Sequence, residues 1–343
     1  MQIVYNWHIT ERCNYACKYC FAKWDKKPEI RDNRNLVDKI LKELAKKDVI
    51  SKRIGENITQ IRINFAGGEP LMLGKEIFNK IVRRAKDMGF ETSLITNGSL
   101  LAFHTDIFKY LDMIGISIDS LDEDVCKSIG RCSGKEYLSE EKLGNLIKKI
   151  KLSNPKAKIK FNIVVSEDNY NSNIAERLQA FKPDRLKILR QLSFNNEKGI
   201  TDEQFEHFLT INKKFVKKKN VVIENKNDIT KSYLMIDPQG RFFQNGNENG
   251  YNYSQPIYDI GLEQALSQIN FNKEKFMSRY KQALKTTVKT SPCGCLDSRG
   301  KLKKCYYSES EALECAEWLK EKEGKRLRSY KCQKDVWHLT HRT

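Results

Sequence analysis

Three cysteines stand close together near the start of the chain, as Cys13-x3-Cys17-x2-Cys20. Gaps of three and two residues give no sensible set of disulfides, so clustered thiols here point to metal or redox chemistry. Three thiolates can hold three irons of a [4Fe–4S] cluster and leave the fourth iron open to another ligand. That open iron suits the amino and carboxylate groups of S-adenosylmethionine; a zinc site or a chance trio is the competing reading. The aromatic residues Tyr19 and Phe21 flank the last cysteine. A second mark is Gly67-Gly68-Glu69-Pro70, because glycines let a backbone approach a ligand closely. Asn97-Gly98, Ser117 and Arg131 follow; each alone would read as a turn, a buried strand hydroxyl or a surface cation.

These residues need elements to position them. Short β-branched runs at residues 3–9, 60–65, 91–96, 113–118, 159–165 and 186–192 read as strands. Stretches of helical periodicity lie between them, at 36–47, 75–88, 106–111, 140–151 and 173–181. Alternation of this kind predicts parallel βα units that curl into a partial (βα)6 barrel. Such barrels build their sites at the C-terminal ends of the strands, where the motifs are expected. Asn6 and His8 are two apart on one strand, as are Lys160 and Asn162 on another and Arg185 and Lys187 on a third, so each pair faces one side. Cations aimed into a barrel have little structural use, and they suit an anionic substrate; solvated strand ends are the alternative. Arg190 and Gln191 are candidates to add to them. Residues 201–217 read as a helix with a cap at Thr201, 232–236 and 241–244 as a hairpin around Asp237-Pro238-Gln239-Gly240, and 244–252 as an Asn- and Gly-rich loop.

Length and composition bound the rest. The 343 residues are 39% hydrophobic and 10% aromatic with 7 prolines, which excludes a wholly disordered chain. No run approaches a membrane span, and residues 1–10 show no secretory signal, so a cytoplasmic enzyme is expected. The net charge of +18 favours polyanionic partners, although a lysine-rich usage explains as much of it.

Taken in order, the motifs resemble those of the viperin family of radical SAM nucleotide dehydratases. The resemblance rests on Asn6-x-His8-x4-Cys13-x3-Cys17-x2-Cys20, Ile63-Asn64-Phe65-Ala66-Gly67-Gly68-Glu69-Pro70 and Thr96-Asn97-Gly98-Ser99. It continues through Ile116-Ser117-Ile118-Asp119-Ser120-Leu121-Asp122-Glu123, Ile129-Gly130-Arg131, Lys160-Phe161-Asn162, Arg185-Leu186-Lys187 and Ser232-Tyr233-Leu234, and closes on Asp259-Ile260-Gly261 before Glu263-Gln264-Ala265, spanning roughly residues 1–280. It implies a [4Fe–4S] cluster on Cys13, Cys17 and Cys20, with S-adenosylmethionine held by Gly67, Gly68, Glu69, Asn97, Ser117 and Arg131. Asn6, His8, Lys160, Asn162, Arg185 and Lys187 would bind a nucleoside triphosphate, and Tyr233 would return a proton or hydrogen to the substrate radical; a core aromatic is the bland reading of that tyrosine. The implied reaction begins when an electron, from a donor such as flavodoxin or ferredoxin, splits S-adenosylmethionine. The 5′-deoxyadenosyl radical takes the 4′ hydrogen of CTP, UTP or GTP, the 3′-hydroxyl leaves, an electron with a proton quenches the product, and the 3′-deoxy-3′,4′-didehydro nucleotide acts as a chain terminator against phage polymerases. A radical SAM peptide- or RNA-modifying enzyme is the alternative.

Three segments are expected: the barrel over 1–200, a short α/β extension over 201–284, and a cysteine-rich tail over 285–343. The tail resembles a small bacterial cysteine-bearing module on Tyr330-Lys331-Cys332 and Trp337-His338-Leu339-Thr340, but carries Asp335 where that module usually has a second cysteine. Zinc is expected there from Cys293 or Cys295, Cys305, Cys332 and His338 or His341. An auxiliary iron–sulfur cluster is the competitor, and the tail's basic residues with Trp318, Trp337, Tyr306 and Tyr307 would also suit nucleic acid.

Overall fold

The computed structural model describes residues 1–21, 28–193, 199–247, 250–277, 309–333 and 337–340, with residues 295, 297, 303 and 306. The chain forms two compact units, Met1–Met277 and Ser278–Thr343.

Unit one is the partial βα barrel. Its six leading strands are β1 (Gln2–Thr10), β2 (Gln60–Gly67), β3 (Glu91–Thr96), β4 (Met113–Ser117), β5 (Lys158–Val165) and β6 (Arg185–Arg190). They pair in parallel in that order. The sheet then runs on at both edges, with β7 (Val221–Glu224) parallel to β6 and β8 (Leu234–Ile236) parallel to β1. An antiparallel hairpin, β9 (Arg241–Asn247) and β10 (Gly250–Pro256), extends the β8 edge. The barrel and its expected α/β extension therefore share one sheet.

Strand alternation divides the residues between two faces. Ile3, Tyr5, Trp7 and Ile9 of β1, Ile61, Ile63 and Phe65 of β2, and Ile159, Phe161 and Ile163 of β5 are buried. On β2 this face meets the helix Lys75–Asp87, where the Phe65 and Phe78 rings sit edge to face at 5.8 Å. The opposite face, which lines the barrel interior, carries Asn6, His8, Arg62, Asn64, Ser93, Lys160, Asn162, Arg185 and Lys187. An ordinary βα barrel fills that interior with branched apolar side chains; a polar interior is built for a ligand.

Three local expectations change. Residues 106–111 form part of a 3-10 segment, Thr105–Tyr110. The helix expected over 201–217 breaks at Asn212 into Asp202–Ile211 and Lys213–Val216, with Thr201 and Gln204 closing a capping box at its start. The Asn-rich stretch 244–252 falls largely within β9 and β10, because Phe243, Tyr251 and Tyr253 pack together and hold the two strands in register.

In unit two, a helix (Glu309–Glu323) precedes an antiparallel hairpin of Arg328–Lys331 and Trp337–Thr340. Tyr306 is buried and exchanges both backbone hydrogen bonds with Trp337, so it is core and not a stacking platform. Tyr307, the Trp318 side chain, Cys293, Cys305, Asp335 and His341 lie outside the described residues.

Candidate active site

The cysteine loop leaves the C-terminal end of β1 and is locked from two sides. Gly68 N–H donates to Thr10 O and Glu69 N–H to Arg12 O, both at 2.7 Å. Lys18 N–H donates to Ile129 O at 3.0 Å and Ala16 N–H to Gly130 O at 3.2 Å. The glycines are needed for this approach: a Cβ on Gly68 would stand 2.2 Å from Arg12 O, and one on Gly130 2.3 Å from Ala16 O. Gly67 lets its backbone meet the end of β1, and Gly68 lets it meet the start of the cysteine loop.

Glu69 is fully buried and spends its carboxylate on the protein. It accepts from Thr96 Oγ1 at 2.8 and 2.9 Å, Asn97 N–H at 2.7 Å and Leu71 N–H at 3.1 Å, tying the loop after β2 to the loop after β3. Burial pushes it up to about 7 against those bonds. Asn97 in turn donates to Asn14 Oδ1 at 2.9 Å, inside the cysteine loop.

Cys17 is buried, Cys20 packs beside Met235 and Phe243, and Cys13 is more exposed. Burial, with the charges of Glu69, Cys17 and Cys20, pushes the Cys13 thiol up to about 11 against a hydrogen bond from the Tyr15 N–H. Arg131 braces this region: its Nη1 lies 3.7 Å from Cys17 Sγ, its Nη2 donates to the Ser117 carbonyl, and its Nε stands 3.2 Å from Asp119 Oδ2. Asp119 also accepts from Tyr19 OH and, at 2.7 Å, from Val164 N–H. This buried carboxylate holds three segments together; its motif was visible in the sequence, but its role was not.

Below that layer lies the polar interior. Asn64 Nδ2 donates to Asn6 Oδ1 at 2.8 Å, and Ser93 Oγ to Asn64 Oδ1 at 2.7 Å. His8 sits between the rings of Phe21 and Phe243, and burial lowers it to about 3, so it is neutral. Asn162 Oδ1 is buried with no hydrogen-bond partner among the described residues. Lys160 makes no hydrogen bond or ion pair among the described residues. Burial, with the charges of Lys187, Arg185 and Arg62, holds its ammonium well below the ordinary lysine range, and Glu224 opposes them only in part. Arg62, Lys160, Arg185 and Lys187 gather on this face; Arg62 is paired with Glu91, and Lys187 stands 2.8 Å from Glu224.

The cations start well short of the C-terminal mouth along their strands. Lys160 is the third residue of β5, while Arg185 opens β6 and Lys187 is its third residue, so they rise from the N-terminal half of the strands. Long side chains on interior positions can put their charge well away from their own backbone. Arg190 belongs to the other face and binds Ile200 O at 2.7 Å, Asn225 Oδ1 at 3.1 Å and Asp202, so it clasps structure. At the open seam of the sheet Tyr233 OH donates to Glu224 and meets Lys187, joining β7 to the entry of β8. Glu224 was missed because it lies in a segment whose sequence looked irregular.

Comparison with known proteins fits this geometry. The Radical SAM superfamily matches residues 7–165. An S-adenosylmethionine-dependent nucleotide dehydratase of Fibrobacter sp. (strain UWH6) is 41% identical over 81% of this chain and 88% of its own length. One from Pseudoalteromonas ulvae is 38% identical over 81% of this chain and 93% of its own. The chain belongs to the S-adenosylmethionine-dependent nucleotide dehydratase family. Solved structures of anSMEcpe with bound AdoMet share the fold, at a TM-score of 0.56 and 14% identity over 80% of this chain and 81% of that one.

Radical SAM enzymes of this family carry an iron–sulfur cluster and S-adenosylmethionine, and the dehydratase residues present fit both. Three thiols that sense one another's charge on one braced loop form a donor set for iron, and metal binding would deprotonate them. Arg131, the Ser117 carbonyl it binds and Asn97 border that loop with polar groups.

Proposed function

We propose that this protein dehydrates a nucleoside triphosphate to its 3′-deoxy-3′,4′-didehydro form. The observation that carries the reading is Lys160, half-buried with no hydrogen bond or ion pair among the described residues, beside Arg185 and Lys187 in a polar barrel interior. A cation pays a large desolvation cost in such a place unless an anion completes it. A triphosphate brings several negative charges for charge-assisted hydrogen bonds.

In this reading Cys13, Cys17 and Cys20 hold the cluster, and Gly67, Gly68, Glu69, Asn97, Ser117 and Arg131 shape the S-adenosylmethionine site. Glu69, Gly67 and Gly68 act by positioning loops, and Arg131 by bracing Cys17 and β4. Cluster and S-adenosylmethionine together supply the 5′-deoxyadenosyl radical that removes the 4′ hydrogen. The chain's own residues fix what that radical meets. Lys160, Arg185 and Lys187 anchor the phosphates low in the barrel, which leaves the ribose between them and the cysteine loop. Asn162 offers a buried acceptor to a sugar hydroxyl, and Asn6 and the neutral His8 line the same interior. Tyr233, hydrogen-bonded to Glu224 and close to Lys187, is the candidate to give the proton with which the 3′-hydroxyl leaves as water, while the reductant supplies the one electron that completes the didehydro product.

CTP, UTP and GTP are the candidate substrates, a flavodoxin or ferredoxin is the reductant, and the product terminates phage polymerase chains. Among the described residues no helix is long and apolar enough to cross a membrane. The test is to incubate the reduced holoenzyme with each of the four triphosphates and follow 5′-deoxyadenosine. One triphosphate should stimulate its release several-fold; release driven only by a peptide or an RNA would overturn the reading. This chemistry draws on Met1–Met277 alone, and a zinc ion in the tail is a separate proposal.

A further inference from the structure

The tail gathers a second set of metal-binding side chains. The ligand atoms of Cys295, Cys332 and His338 all lie within 4.8 Å of one another. The hairpin explains two of the three. Antiparallel register sets Tyr330 opposite His338, and Cys332 follows directly after the first strand, beside the start of the second. Cys295 is delivered by Lys303, whose N–H donates to the Cys295 carbonyl at 2.7 Å and whose ammonium donates to Tyr330 OH at 2.9 Å. His338 is completely buried, while the two cysteines are half-buried, and neither is in a disulfide.

The size of the unit supplies an independent reason for a metal. Among its described residues the buried apolar side chains are Tyr306, Ala312 and Ala316. One tyrosine and two alanines bury little apolar area, and units this small usually need a disulfide or metal staple.

We propose that Ser278–Thr343 binds one zinc ion through Cys295, Cys332 and His338. Two thiolates and a neutral imidazole balance the charge of a divalent ion, and soft sulfur with imidazole selects zinc over magnesium or calcium. Zinc–sulfur bonds of about 2.3 Å put tetrahedral sulfurs roughly 3.8 Å apart, so closing these donors onto an ion takes a movement of at most about 1 Å. A fourth position remains for a solvent oxygen or another donor of the chain. Of the donors the sequence reading offered, Cys295, Cys332 and His338 come together, and Cys293, Cys305 and His341 lie outside the described residues. The proposal does not rest on the dehydratase reading, since none of its donors serves that reaction.

The test is elemental analysis of the full-length, cluster-loaded protein. The parent should carry close to one zinc per chain beside its cluster iron. Cys295→Ser and Cys332→Ser should lose that zinc and keep the iron. Zinc at background in the parent would overturn the proposal, as would zinc retained in both variants or a second complement of iron in its place. Should either variant fail to fold, cobalt(II) introduced into the parent decides. A tetrahedral spectrum with a thiolate charge-transfer band is expected, and an octahedral spectrum without one would contradict the site.

Discussion

Lys160 has a lysine's reach and a buried acid–base balance set by its neighbours. Its ammonium is held below the ordinary lysine range in the free protein, so between that lowered value and about 10.4 the unfolded chain binds the extra proton. The cost to stability is complete at low pH and is relieved as pH rises through that window. A bound triphosphate reverses the shift. Nucleotide binding should therefore take up a proton and weaken as pH rises, which calorimetry in buffers of different ionisation enthalpy would show. A heat that does not change with buffer, or proton release, would contradict this role. Lys160→Met should abolish the uptake and raise the nucleotide KM roughly ten- to a hundredfold, with iron content unchanged. Glu224 makes the complementary case. Glu224→Gln leaves the buried Lys187 without its carboxylate, which should cost about 3–5 kcal/mol in the free protein. Added nucleotide should then raise the melting temperature more in the variant than in the parent; an equal rise would separate Lys187 from the phosphates. Lys160, Arg185 and Lys187 were legible in the sequence because spacings of two put charges on one face. Glu224 was not, because its partners are 37 and nine residues away and meet it only when the sheet curls.

At the scale of elements, the strands and most helices follow from periodicity, and the loops between them decide the chemistry. The cysteine loop is held by backbone carbonyls of its own meeting glycines from two other loops. Gly68→Ala would force its Cβ against Arg12 O, an overpacking worth about 1–3 kcal/mol concentrated on the cluster loop. Reconstituted iron should fall in this variant while Lys160→Met retains it; full iron in Gly68→Ala would show that the loop has room. Composition misled in two places. Residues 244–252 carry the Asn and Gly of a loop, yet aromatic packing of Phe243, Tyr251 and Tyr253 makes them strands. Arg190 has the charge of a phosphate ligand, but strand alternation turns it to the other face.

For the molecule as a whole, a ten-stranded sheet with apolar and polar faces accounts for both stability and ligand binding in Met1–Met277. The order of motifs made the barrel readable in the sequence, since most of them follow or lie within a strand of the alternation. The depth of the cation cluster was not readable, because sequence gives a strand's face and leaves the height of a charged tip undefined. Cys17→Ala should remove both cluster iron and cleavage of S-adenosylmethionine under dithionite; retained cleavage would place the cluster elsewhere. The central claim is that the radical is spent on the 4′ position of a bound triphosphate. Mass spectrometry after turnover with a 4′-deuterated nucleotide tests it most directly. Deuterium should appear in 5′-deoxyadenosine while the nucleotide loses one water, and unlabelled 5′-deoxyadenosine beside an unchanged nucleotide would contradict the account.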